Sequence, residues 1–174
     1  MNMIFKSMSN VIKLCALTVF TLTVQQAQSQ EVIRYRAPGS NFPIASAVEI
    51  PAGKTIVFLS GAVPPVFDDK AERGSLAAYG DTKTQTIGTL KGIEKSLKDL
   101  GLTMGDVVKM QVFLVGDPKQ NNKMDFTGFM AGYSEFFGTA NQPNLPSRAV
   151  MQVAGLVVPG WLVEIEVTAV RPSK

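Results

Sequence analysis

The chain has 174 residues, with 17 Lys and Arg against 14 Asp and Glu, a formal net charge of +3, one cysteine and no histidine. A single cysteine excludes an internal disulfide, and the lack of histidine argues against a zinc site. The basic residues are scattered and no aromatic stripe accompanies them, which argues against a nucleic-acid surface.

Residues 1–29 read as an address. Lys6 and Lys13 give a positive start, and residues 14–24 form an apolar run too short to span a bilayer comfortably. Ala27-Gln28-Ser29 supplies small residues where a signal peptidase cuts, so cleavage after Ser29 and a periplasmic or secreted location are expected, with no stable membrane association afterwards. Cys15 lies at the beginning of the apolar run, badly placed for lipid attachment, and departs with the signal. Residues 30–174 then form a single domain large enough for a real core. Loss of two lysines and no acid lowers the net charge from +3 to +1.

Along that domain, residues 31–36 alternate as a first strand or arm, and Ala37-Pro38-Gly39-Ser40-Asn41 is a turn cluster. Residues 44–50 and 55–61 read as two strands joined by Pro51-Ala52-Gly53, hence a hairpin. Residues 62–80, with Pro64-Pro65 and mixed charges, form a long loop without a period. The first helix covers residues 82–100. Thr82 and Gln85 have capping-box spacing, Ile87, Leu90, Ile93, Leu97 and Leu100 form its buried stripe, and Gly101 ends it. Residues 107–115 are a strand with Val108, Met110, Val112 and Leu114 on one face.

A polar loop at 116–123 leads to a second helix over 125–137, whose aromatic stripe (Phe126, Phe129, Tyr133, Phe136, Phe137) reads as a core face. The last thirty residues contain two alternating runs flanking Pro159-Gly160, the pattern of a β-hairpin. Arg148 opens the first run and Glu164 lies inside the second. A guanidinium suits bidentate carboxylate binding, and a glutamate can position water or move a proton. The predicted order is β-β-β-α-β-α-β-β, an α+β domain with two helices over one sheet face. The other face, expected to carry Lys109, Gln111, Arg148, Val150, Gln152, Glu164, Glu166 and Thr168, has the mixed character of an oligomer interface.

Four blocks in order resemble the Rid (reactive intermediate deaminase) or YjgF family, whose members once carried the label endoribonuclease L-PSP. They are Ser60-Gly61-Ala62-Val63-Pro64; Gln85-Thr86 through Leu90 and Ile93 to Gly101-Leu102 and Asp106-Val107-Val108-Lys109; Phe126, Met130, Tyr133 and Phe136-Phe137; and the C-terminal segment from Pro146-Ser147-Arg148 to Glu164. The resemblance implies a chorismate-mutase-like fold, a six-stranded mostly antiparallel sheet with two helices on one face. It also implies a homotrimeric barrel with clefts between subunits, and no cofactor or metal. In that frame Arg148 binds the carboxylate of a 2-imino or enamino acid. Glu164 positions the water that releases ammonia and a 2-oxo acid, and Gly61 brings backbone close to ligand. Ile44, Met130 and Val150 stand where the family often has tyrosine, asparagine and cysteine. Two readings follow: an exported deaminase of small imine or enamine acids, and a trimeric binding module for a small carboxylate metabolite that does no chemistry. The loss of three polar residues and the export signal favour the second. A nuclease is the poorest fit, for want of histidine and a basic groove.

Overall fold

A computed structural model describes residues 31–172. The expected signal segment, with Cys15, lies outside the described residues. The strands are β1 (Ile33–Tyr35), β2 (Ala47–Glu49), β3 (Ile56–Phe58), β4 (Val107–Val115), β5 (Ser147–Val153) and β6 (Val163–Val170); the helices are α1 (Leu76–Tyr79), α2 (Thr82–Asp99) and α3 (Phe126–Tyr133).

Four strands form a sheet in the order β3-β6-β4-β5, and β1 and β2 form a separate two-stranded ladder. A parallel bridge from Ala45 to Ser147 ties the approach to β2 to the start of β5. Three of the strand pairs are antiparallel and one, β4 with β5, is parallel. The α+β class and the mostly antiparallel pairing hold, but the six strands form a four-stranded sheet and a two-stranded ladder, not the single six-stranded sheet expected.

The strand partners differ from both expected hairpins. β2 pairs with β1 and β3 with β6, while β5 and β6 do not touch each other because β4 lies between them. Pro159-Gly160 sits in the connection that carries the chain across β4, where Trp161 N–H donates to Val158 C=O at 2.9 Å. Alternation establishes that each run has one apolar face but says nothing about which strand lies alongside.

β4 is the centre of the core. Met110, Val112 and Leu114 are fully buried, as are Val163, Ile165 and Ala169 of β6, and all face α2 and α3. Phe129, Tyr133 and Phe137 recur every four residues and pack in sequence, the first pair tilted and the second stacked, with ring centroids 5.8 and 4.9 Å apart. α3 is shorter than expected, ending at Tyr133, and the chain continues to Phe137 in turns. Asp125 caps its start, accepting from Gly128 N–H at 2.8 Å.

In α2, Leu90, Ile93 and Leu97 are buried, whereas Leu100 is exposed and Ile87 only partly covered. The first half of the buried stripe is instead Thr82, Gln85, Thr86 and Thr89. The cap is one residue earlier than expected: the Asp81 carboxylate accepts from Thr84 N–H at 2.8 Å. Gln85 therefore has no capping role. Its amide donates to Gly80 C=O and Gly160 C=O, each at 2.9 Å, and its oxygen accepts from Leu162 N–H at 2.7 Å. This buried side chain pins the start of α2 to the start of β6. Gly101 adopts φ +71° after the helix, as expected.

Residues 62–80 are not structureless. Ala62 bridges Ile165, Pro64 is buried, and Phe67 and Asp68 N–H both donate to Ala78 C=O of α1. Residues 116–123 close on themselves through Asp117 N–H to Lys123 C=O, and Gln152 of β5 holds them from outside.

Candidate functional site

Arg148 stands opposite Met110 in the β4–β5 register, and Met110 faces the helices. Its side chain therefore points to the helix side of the sheet and not to the open face. Val150 and Gln152, opposite Val112 and Leu114, share that side. Glu164 stands opposite Phe113 and Glu166 opposite Gln111, on the open face. The expected common face for Arg148 and Glu164 is thus corrected by the interposed strand. Two strand spacings and three residues separate them, on the order of 14 Å between backbones, with the side chains on opposite faces. One protomer does not bring them together.

On the helix side, the Arg148 guanidinium lies 4.1 Å from the Tyr133 ring centroid, 5.0 Å from that of Phe129 and 5.6 Å from that of Phe42. Such contacts favour a cation but satisfy none of its N–H groups. Nη2 donates to the Met130 thioether at 3.2 Å, and Nη1 is buried with no hydrogen-bond partner. A thioether is a weak acceptor. Burial pushes the Arg148 pKa down, opposed by the neighbouring Tyr133. Burial likewise pushes Tyr133 up to about 12, so its phenol stays neutral, and it donates to Pro43 C=O at 2.8 Å. A buried guanidinium without a carboxylate is costly, and an arriving anion relieves that cost.

Met130 and Arg148 are thus in direct contact. Val150 follows two residues along the same face, partly buried against the core. Ile44 sits in the turn just before Ala45, whose N–H bonds Pro146 C=O at 3.0 Å, placing that turn beside the start of β5.

Gly61 belongs to the second group. A side chain there would collide with the Glu164 carboxylate, so backbone and acid lie against each other on the open face. That face also carries Phe58, 77% exposed, with Lys109, Gln111, Glu166 and Thr168 around a cavity of about 310 Å³.

Sequence reasoning missed Phe42, which lies over the guanidinium and stacks on Phe126 at 6.5 Å. It read Phe129 and Tyr133 as core alone, whereas they are both core and cradle. The available signal was an aromatic stripe at four-residue spacing on a helix that leads into an arginine-bearing strand.

Within the protomer, the Arg148 guanidinium is held among aromatic rings at a strand start with no carboxylate beside it. The family model described as Endoribonuclease L-PSP matches residues 37–171. A RutC family protein of Haemophilus influenzae is 33% identical over 136 residues, covering 78% of this chain and 92% of its own. The 2-iminobutanoate/2-iminopropanoate deaminase of Salmonella typhimurium is 31% identical over 143 residues, covering 82% and 98%. The crystal structure of E. coli TdcF with bound serine aligns with a TM-score of 0.53 at 29% identity, covering 82% of this chain and 99% of that one. The chain belongs to the endoribonuclease L-PSP family, the Rid or YjgF proteins.

Proposed function

We propose that this protein is exported after loss of residues 1–29 and assembles as a homotrimer. In the proposed trimer it hydrolyses 2-imino or enamino acids in clefts between subunits. The observation that carries the reading is Arg148, a buried cation held among aromatic rings, with a thioether at 3.2 Å, no carboxylate and one nitrogen unpartnered. A substrate carboxylate replaces Met130 as acceptor and takes two charge-assisted hydrogen bonds. Because Glu164 lies on the opposite face of its own sheet, the acid beside Arg148 comes from a neighbouring copy. The exposed Phe58 and the mixed open face supply surface for that contact.

Glu164 then orders a water against the imine carbon, with Gly61 leaving the carboxylate room to approach. Water adds to C=N, its proton passes through Glu164 to nitrogen, and the C–N bond breaks. One imino acid and one water give one 2-oxo acid and one ammonia. An imine is already electrophilic, so the step requires neither metal nor cofactor.

A binding module without chemistry is the second reading, favoured by Ile44, Met130 and Val150, none of which supplies a strong hydrogen bond near Arg148. The deciding experiment follows the decay of 2-imino acids generated in situ, starting with 2-iminopropanoate. Acceleration by the wild type that falls at least a hundredfold in Arg148→Ala is expected, on the order of 3 kcal/mol of lost charge-assisted binding. No acceleration by a folded, assembled protein would leave the binding module.

A further inference from the structure

We infer that the substrate at Arg148 is a 2-imino acid with a bulky hydrocarbon side chain, branched aliphatic or aromatic, in preference to small or polar imino acids. The inference rests on the deaminase reading above and names its substrate class. The surroundings of the guanidinium carry it. Phe42, Phe129 and Tyr133 present rings, Met130 presents a thioether, and Val150 continues the same sheet face. Ile44 sits in the turn that carries Phe42.

Among these side chains only Tyr133 has a polar atom capable of a strong hydrogen bond, and its proton is already given to Pro43 C=O. A carboxylate that reaches Arg148 therefore lays the rest of its molecule along a wall of hydrocarbon on this protomer's side of the cleft. Phe42 is 43% exposed and is supported from behind by Phe126, so it offers a fixed, accessible apolar wall. Met130 has three rotatable side-chain bonds, which lets it leave Nη2 and repack on whatever the carboxylate carries.

Such a wall rewards added methylenes and penalises a hydroxyl or amide left without a partner. The test measures kcat/KM for imines generated by an amino-acid oxidase from leucine, phenylalanine, alanine and glutamine, using the assembled protein. Leucine- and phenylalanine-derived imines are expected to exceed the alanine-derived imine by roughly tenfold or more, and the glutamine-derived imine to fall below them by a similar factor. Met130→Asn should erase most of that preference, and Met130→Leu should keep it. Equal rates across the panel, or a preference for the glutamine-derived imine, would overturn the inference while leaving the deaminase reading intact. No acceleration of any imine would overturn both.

Discussion

Two of the partly buried arginines, Arg34 and Arg148, are used in opposite ways. Arg34 of β1 donates from Nη1 to Val107 C=O at 2.8 Å and Leu145 C=O at 2.7 Å, and from Nη2 to Gly105 C=O at 2.9 Å, with Asp106 nearby. Arg148 has three rings, one thioether and an unpartnered nitrogen. Burial pushes both pKa values down, so desolvation alone does not distinguish them. Partners do. Arg34 is satisfied by the fold and clamps the N-terminal ladder onto the segments around β4 and β5. Arg148 keeps one buried nitrogen unpartnered, which is what the proposed carboxylate site uses.

The sharpest way to break that contrast is to replace each by methionine and measure unfolding in urea. Arg34→Met removes three hydrogen bonds, leaving Gly105 C=O with the Asn144 amide at 3.2 Å, and should cost roughly 3 kcal/mol or more. Arg148→Met removes a poorly compensated cation from an apolar cradle, so its stability should stay within about 1 kcal/mol of wild type, or rise, despite the lost ring contacts. A loss of several kcal/mol at Arg148 would make it a structural residue like Arg34.

A smaller effect lies in the alkaline limb. Burial above all pushes the Tyr133 phenol up to about 12, from an ordinary value of about 10. The unfolded chain therefore loses this proton first as pH rises, and the stabilisation present below pH 10 drains away between about 10 and 12. Two pKa units correspond to about 2 to 3 kcal/mol. Tyr133→Phe should remove that part of the alkaline slope, at a cost near neutrality of about 1 kcal/mol for the lost bond to Pro43. An unchanged slope would show that the phenol is not held in the environment described.

How much of this was legible in the sequence depended on whether the signal was local. β4 appeared at its full extent, Val107–Val115, because a nine-residue alternation needs no neighbour to be recognised. The aromatic stripe of α3 and the stop at Gly101 were legible for the same reason. Strand partnership is not local: residues 147–153 and 163–170 alternate as a hairpin would, yet β4 enters between them. That single intrusion moves Arg148 to the opposite face from Glu164. Gln85 shows the same limit on a smaller scale. Its spacing from Thr82 fits a capping box, but its partners, Gly160 and Leu162, lie far along the chain.

The central claim is that no protomer owns a complete site, and mixing two crippled variants tests it most directly. Arg148→Ala and Glu164→Ala are each assembled alone, then co-assembled at equal ratio, and imine decay is followed. Each alone should be nearly inactive. In random trimers an interface that joins an intact Arg148 to an intact Glu164 forms with a frequency of about one quarter, so about a quarter of the wild-type rate should return. Mixed trimers as inactive as their parents, with a wild-type control that works, would contradict a site shared between copies.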